Sequence, residues 1–543
     1  MKTKKVYPNL QNVYYRPEFK NCLHCGAKLK RSHIAWRKTI TSLDRVCRVH
    51  NTAYQCSNQA NCEQGGRVYR SGYADGLSLP YYTYGLDVIV YIGQQRLRQH
   101  QTIPEIQRAL QAREPMQISE REVEYLFDVY LLLSACSQEQ RIEKKYRQMI
   151  MDNGGMVLAI DGAKPEKGQP GLYIFRDAVT GCRLHAAVLG SGDKDSIARE
   201  LHQVKGYGLP VQAIVSDDEA ATVAAVAEVF PDKLHGLCHT HFLKAAQRPV
   251  YKEDQKLARA LKQPLRKLNK VVATVNNKPT VTALLSASQK EAITRYMDAF
   301  RALLWRKGQA PFRLSGVSIF ESLSDLNASL TRSLSKQDHS LLQQLAQMSD
   351  CYRPHQATYQ QVQRQQVYFL ALADLLDCFQ DGKPDWARQT GAEIAQEVEE
   401  FLTSLQILGD TLPEDAPFFA HLQQRVHHWA HGLYWTYEIL ALPRTNNALE
   451  VDIGNLKEQY RRITGRRCLK DYLMRYGPYL TFDDKDDEPE ELLDWFQGVD
   501  YEDFRDERHK LEMSREQLRN IQRFNQNPEA FLADTERLWE EED

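Results

Sequence analysis

After Gly154-Gly155 the apolar residues fall into short runs with turn residues between them: Met156–Asp161, Leu172–Ala178, Arg183–Gly190, Val211–Asp217 and Leu234–Cys238. Runs of this length, bounded by Gly, Asp and Thr, predict strands, and Thr180-Gly181 marks a tight turn between the second and third. Helical spacing intervenes at Asp195–Lys205 and Glu219–Val229. Earlier in the chain, Thr102-Ile103-Pro104-Glu105 and Ile118-Ser119-Glu120-Arg121-Glu122 each predict a helix start. Pro104 suits a first turn, and Ser119 with Glu122 three residues later suits an N-cap. From about Phe242 to Ala441 the pattern is almost wholly helical, with segments such as Gln360–Phe379 and Thr390–Leu405. One more helix is expected from Asn447 to about Thr464, and the tail reads as helical around Met513–Phe524.

Three strands joined by tight turns, then helix, strand, helix and strand, is the element order of an RNase H-like α/β fold. The expected fold class is therefore an α/β RNase H-like core interrupted by a large all-α insertion, preceded by zinc-binding and helix-turn-helix regions. At roughly 100–200 residues per domain, 543 residues exceed one core. The divisions drawn from the pattern are a basic zinc-binding region (1–70), a helix-turn-helix-like region (71–150) and the first part of the core (151–242). The all-α insertion (243–441), the last part of the core (442–480) and an acidic helical tail (481–543) follow.

Charge sharpens this picture. The net charge of -1 conceals twelve Lys/Arg against two acids in Met1–His50, and eight against twenty-two in Asp483–Asp543. One end suits nucleic acid and the other repels it. No apolar run follows the lysines of Met1–Tyr7, so neither a secretory signal nor a membrane span is expected, and the expected location is cytoplasmic, associated with the nucleoid.

In a reducing compartment clustered cysteines read as metal ligands. Zinc takes four thiolate or imidazole ligands in a tetrahedron, and the simplest set is Cys22, Cys25, Cys56 and Cys62, with Cys47 and His50 competing for places. DNA contacts are expected from Lys28, Lys30, Arg31, Arg37 and Lys38, which no nearby acid opposes, and from Arg121 in the second helix of the helix-turn-helix. That helix also carries Glu120, Glu122 and Glu124.

Two carboxylates close predicted strands. Asp161 ends the first and is followed by Gly162, which reads as a close turn at the sheet edge. Asp217 ends the fourth beside Asp218 and Glu219, and the sequence leaves open which of the adjacent aspartates faces inward. In an RNase H-like sheet the two strand ends are neighbours, and paired carboxylates that keep their charge call for a divalent cation between them. Each has a plainer reading: a strand-end Asp-Gly is a common turn, and an Asp between strand and helix is often an N-cap.

Around Asp217 the order is Ser216-Asp217-Asp218, then Val229-Phe230-Pro231, then Cys238-His239-Thr240-His241-Phe242-Leu243-Lys244. Farther on stands Arg444-Thr445-Asn446-Asn447-Ala448-Leu449-Glu450, followed by Lys457, Arg461, Arg462, Arg466 and Arg467. In these motifs the chain resembles the Mutator-like DDE transposases and related bacterial insertion-sequence transposases, over about Gly155–Leu243 and Pro443–Arg467. The resemblance makes Asp217 the second catalytic acid and Glu450 the third, and it sets Cys238 and His241 on the family's Cys-x2-His pair; Asp161 is expected to be the first from its strand-end position and the order of elements. Bracing of the active-site loop is the expected role of that pair, a separate zinc the alternative. Asn447 and Glu450 also fit a capping box.

The resemblance implies a metal-dependent enzyme acting on double-stranded DNA, with Mg2+ (or Mn2+) held by Asp161, Asp217 and Glu450. Those ions would activate water to free a 3′-hydroxyl at a transposon end and then activate that hydroxyl for attack on target DNA. It further implies a homodimer or higher assembly on DNA. Lys457 and Arg461 lie seven and eleven residues beyond Glu450, on its helical face, where they would grip phosphates. Some relatives stack a flipped base on an aromatic of the insertion, which would be Trp305; a place in the helical core is the expectation for that residue. A non-catalytic zinc-containing DNA-binding regulator and a nuclease without strand transfer are the alternative readings.

Overall fold

The computed structural model describes residues 7, 10–113, 116–163, 170–277, 285–376, 390–438, 442–465, 473, 475–482 and 487–540. Arg466 and Arg467, and the end of the segment expected at Gln360–Phe379, lie outside them. The fold is mixed α/β with large helical regions, and it divides into two compact units. The first comprises Met1–Gln212, Ala220–Lys233 and Ala448–Asp543; the second comprises Ala213–Glu219 and Leu234–Asn447.

Eight strands are described, which we number in chain order. Strands β1 (Gln11–Tyr15), β2 (Leu29–Thr41) and β3 (Val46–Cys56) form a three-stranded sheet in the order β1-β3-β2, with β1 parallel and β2 antiparallel to β3. Sequence patterning did not reveal this sheet. The thirteen residues of β2 are mostly polar, because it is an edge strand and its outer residues have no second layer to pack on.

The expected strand run is present as β4 (Met156–Ala163), β5 (Gly171–Asp177), β6 (Arg183–Leu189), β7 (Val211–Ser216) and β8 (Leu234–Leu237). Helices Lys194–Gly206 and Ala220–Val229 stand where the periodicity puts them. The hydrogen-bonded order is β6-β5-β4-β7-β8; β4, β5 and β6 are antiparallel, and β8 is parallel to β7. Met156–Ile160 are all buried, which explains their unbroken apolar run: both faces of this strand are covered.

One expectation is corrected here. Asp161 does not end its strand: the ladder continues through Asp161↔Ile174 and Gly162↔Tyr173 to Ala163↔Leu172. Gly162 is therefore a strand residue rather than a turn. A Cβ there would meet the Tyr173 ring at 3.0 Å, so the glycine serves the close approach of that ring.

In the first unit both helix starts read from sequence carry capping boxes, Thr102 with Glu105 ahead of Ile103–Gln111 and Ser119 with Glu122 ahead of Glu120–Cys136. The second of these helices is buried over most of its length, including Leu126, Phe127 and every residue from Val129 to Ser134. Its acids are engaged by the C-terminal part of the same unit: Glu124 pairs with Arg475, and Asp128 accepts two bonds from Arg515 at 2.6 and 2.8 Å. Arg515 belongs to the helix Tyr501–Gln526, so the acidic tail is docked through one of its few cations. A buried Arg141–Asp487 ion pair, joined by Lys145 and covered by the Trp495 ring, fastens the same region.

The second unit is helical after β8. Its core gathers Leu257, Leu261, Phe300, Ile319, Leu323, Leu330 and Leu345, the apolar stripes of the helices Arg248–Leu265, Ala287–Trp305, Ser315–Lys336 and Ser340–Ser349. The helix Gln356–Leu375 covers the segment expected from Gln360 as far as Leu375, and the helix Gly391–Thr411 covers and lengthens the one expected at Thr390–Leu405. Among the described residues no helix is long and apolar enough to cross a membrane.

A test of the packing in the first unit follows from Gly93, in the helix Leu86–Leu97. A Cβ at this position would lie 2.3 Å from the fully buried Tyr130 ring. Gly93→Ala is expected to cost about 1–3 kcal/mol by overpacking, read as a lower denaturant midpoint, whereas Gly66→Ala, at an open position, is expected to be near neutral.

Candidate metal and nucleic-acid sites

The cysteines expected to bind zinc converge. Cys22 and Cys25 flank a turn closed by the Gly26 amide donating to the Cys22 carbonyl at 2.9 Å, and the positive φ of Gly26 lets the chain reverse there. Cys56 ends β3 and Cys62 follows the short turn after it. The four sulfurs lie within 4.8 Å of one another, with Cys22 Sγ to Cys62 Sγ at 3.9 Å and Cys25 Sγ to Cys56 Sγ at 3.4 Å. A tetrahedral ion with Zn–S bonds of about 2.3 Å sets its sulfurs about 3.8 Å apart, so the quartet is compatible with zinc. The Tyr69 hydroxyl, 3.5 Å from Cys22 Sγ, together with nearby backbone N–H groups, pulls the Cys22 thiol down to about 6. Cys47 and His50 stand apart. Cys47 packs with Ile40, Val49 and Ala74, while His50 stacks on Tyr14 and pairs with Asn12 Oδ1 at 2.9 Å.

Of the basic residues expected to meet DNA, Lys28 precedes β2 and Lys30, Arg31, Arg37 and Lys38 lie on it. The first four are exposed. Lys38 is held differently: its Nζ donates to the carbonyls of Ser78 at 3.2 Å and Leu79 at 3.0 Å, and burial pushes its pKa down to about 8 against the pull of Asp75. Arg121 is exposed on the first turn of its helix, whose later residues are mostly buried.

At the end of β7 the two adjacent aspartates part ways. Asp217 Oδ1 lies 2.7 Å from His241 Nδ1, and Asp217, Cys238 and His241 present ligand atoms within 4.8 Å of one another. Asp218, only 12% exposed, lies 2.9 Å from His428 Nε2 and 3.8 Å from His431 Nε2. Burial alone would lower the His241 pKa, but the Asp217 carboxylate and the Cys238 sulfur more than offset it and hold the imidazole up to about 10. The segment between the motif residues is itself anchored. The His239 amide donates to the Arg444 carbonyl at 2.8 Å, Thr240 Oγ1 donates to Asn447 Oδ1 at 2.9 Å, and the Asn446 amide donates to Cys238 Sγ at 3.2 Å. The Cys-x2-His stretch thus fixes the loop from Arg444 to Asn447. Asn447 is the first residue of the helix Asn447–Thr464, which places Glu450 fourth rather than third in that helix.

Asp161, in the first unit, is half-buried and accepts from the Gly162 amide at 2.7 Å. Glu450, in the same unit, lies on the first turn of its helix. Two residues on, Asp452 receives Arg176 Nη1 of β5 at 2.8 Å, with Arg183 Nη2 of β6 at 3.6 Å. Lys457 and Arg461 are exposed on the same helix. Sequence reasoning missed both Asp452 and the His428/His431 pair. The i, i+3 spacing of the histidines puts them on one helical face, but no local signal names their distant partner.

Trp305 corrects an expectation. It is 80% exposed at the last position of the helix Ala287–Trp305, whose buried stripe runs through Ile293, Met297, Phe300 and Leu303. Residue 305 falls off that stripe. Lys262 and Arg306 are close by, the Lys262 ammonium donating to the Arg306 carbonyl.

Two outcomes are expected. Cys25→Ser and Cys56→Ser should each lower the zinc content by one equivalent per chain, measured by elemental analysis. Asp452→Ala should leave Arg176 and Arg183 without their carboxylate and cost about 1–3 kcal/mol, the range for charged hydrogen bonds only partly shielded from water, read by denaturant unfolding.

No protein-family model matches the chain, and no curated protein matches it. Among solved structures it is similar to the Drosophila P element transposase strand transfer complex, with a TM-score of 0.29 and 11% identity over 77% of this chain and 92% of that one. A likeness of this size fixes neither fold nor function.

Proposed function

We propose that this protein is a DDE-type transposase with an RNase H-like core, which cleaves DNA at transposon ends and joins the freed 3′-hydroxyl to target DNA. The support is the pair of motifs that meet in the second unit. Asp217, just after β7, and the Cys238-x2-His241 stretch, which begins twenty-one residues later, converge to within 4.8 Å. Further support comes from the element order β4-β5-β6, helix, β7, helix, β8, which is the RNase H-like order read from the sequence. Within the first unit the start of β4 lies beside the start of β7, the Met156 amide donating to the Pro210 carbonyl at 2.8 Å.

In this reading Asp161, Asp217 and Glu450 supply the carboxylates for divalent metal. Carboxylate oxygen is the donor that Mg2+ prefers, and all three side chains are partly open to solvent. When bound, the ions would supply Lewis acidity for activating water and then the 3′-hydroxyl. The rest of the work falls to the chain. His241 orients Asp217, Asp452 fixes the rotation of the helix bearing Glu450, and Lys457 and Arg461 neutralise phosphate on the Glu450 side of that helix. The exposed residues of β2, Lys30, Arg31 and Arg37, form a basic edge for the DNA backbone, and Trp305 offers a face on which an unpaired base can stack.

The test is an end-bearing duplex with Mg2+ and a target plasmid. Asp161→Ala, Asp217→Ala and Glu450→Ala are each expected to reduce cleavage and joining by about a hundred- to a thousandfold, the scale of losing one charge-stabilising group, with DNA binding retained. Asp218→Asn is expected to retain cleavage. Normal cleavage by any of the three alanine variants removes that residue from the set. DNA binding without cleavage by the wild type favours the regulator instead, and cleavage without joining favours the nuclease.

A further inference from the structure

Apart from the cysteine quartet, Asp217, Cys238 and His241 are the other convergent group of metal-ligating side chains among the described residues. We propose that this trio binds a transition-metal dication of the zinc class, with one coordination position left open.

The donor set is one carboxylate, one sulfur and one imidazole. Mg2+ and Ca2+ favour oxygen cages, whereas zinc and its neighbours accept this mixture. Bonds of about 2.0–2.3 Å hold tetrahedral ligand atoms roughly 3.3–3.8 Å apart. The trio lies within 4.8 Å, with Asp217 Oδ1 and His241 Nδ1 already at 2.7 Å, so small side-chain rotations close it around an ion. Cys238 supplies the sulfur ligand. It is fully buried, accepts the Asn446 amide at 3.2 Å and is the N-cap residue of the helix His239–Ala246, so its place at the inner face is fixed. Asp218 does not compete, because it is turned to His428 and His431.

The open side is also visible. Cys238 closes the inner face, while Asp217 and His241 are each about 30% exposed, so a fourth ligand enters from solvent. Structural zinc sites are closed by four protein ligands, and a three-ligand site keeps a position for water or an anionic oxygen. The ion would also be linked through Cys238 and the Asn446 amide to the loop that leads into the helix of Glu450. The proposal shares Asp217 with the transposase reading but does not rest on it, since metal content is measured without DNA.

The experiment counts metal on the full-length protein after exhaustive dialysis and reloading with Zn2+ or Co2+. Two zinc equivalents are expected in the wild type, one in Cys25→Ser and one in His241→Ala or Cys238→Ser. Co2+ added to the Cys25→Ser/Cys56→Ser protein is expected to give a weak single-thiolate charge-transfer band, which Cys238→Ser abolishes. The Co2+ spectrum of the quartet variant leaves the trio unaltered, so the test stands even if a trio variant misfolds. One equivalent in the wild type, none in the quartet variant and no thiolate–Co2+ band there would overturn the proposal and leave the trio as an ion pair beside a thiol. Loss of strand transfer with two equivalents retained would count against the transposase reading alone.

Discussion

The carboxylate of Asp452 carries a burden out of proportion to its size. The chain leaves its last strand at Leu237 and does not re-enter the first unit until Ala448, so the helix Asn447–Thr464 has no short connection to fix its pose. Its buried stripe, Leu449, Ile453, Leu456 and Tyr460, says which side faces the protein. At ~100° per residue, Asp452 falls on one flank of that stripe, and Glu450, Lys457 and Arg461 fall on the other. Clamping Asp452 to Arg176 and Arg183 therefore sets the rotation that presents Glu450 and the two cations together. A directional, charge-assisted pair adds an angular constraint that the apolar stripe does not supply.

Much of the fold was legible because its signals are local. The strand run β4 to β8 is bounded by turn residues, and the helix starts at Thr102 and Ser119 are reciprocal capping boxes, a pattern of side chains three apart that needs no tertiary context. The cysteine quartet was legible for a different reason: clustered cysteines at Cys-x2-Cys spacing mark a metal-ligand set by type and spacing alone. What failed depended on distant partners. The β1-β3-β2 sheet was invisible because β2 reads as a polar segment until β3 supplies its hydrogen bonds. Asp161 was read as a strand end because Gly162 resembles a turn, whereas β5 extends the ladder past it and the Tyr173 ring uses the glycine's empty side. Trp305 was expected in the core by residue type; the spacing of Ile293, Met297, Phe300 and Leu303 already excluded it.

The aspartates after β7 show where sequence reasoning runs out and why. Successive residues leaving a strand point to opposite sides, so Asp217 and Asp218 cannot share one partner. Sequence supplies that divergence but not its sense. The sense is set by two imidazole sources: His241, twenty-four residues downstream, draws Asp217, and the helix Ala416–Leu433, two hundred residues downstream, brings His428 and His431 to Asp218. The Cys-x2-His motif contained half of this answer, since its spacing returns a histidine to the strand end. The other half lay inside a helical insertion whose histidines look like ordinary surface residues.

That arrangement alters the electrostatics of the strand end. Adjacent carboxylates that keep their charge repel unless positive charge stands beside them. In the second unit each acid has imidazole beside it, and His241 is strongly disposed to hold its proton next to Asp217 and Cys238. A metal arriving at Asp217 must therefore displace a proton from His241 or share the carboxylate with an imidazolium. The first route makes nitrogen and sulfur available as additional ligands and selects a soft dication, while the second leaves only carboxylate oxygen and suits a hard one. On the readings proposed above, which ion Asp217 would hold turns on whether His241 gives up its proton, a choice built into the Cys-x2-His spacing rather than into the carboxylates.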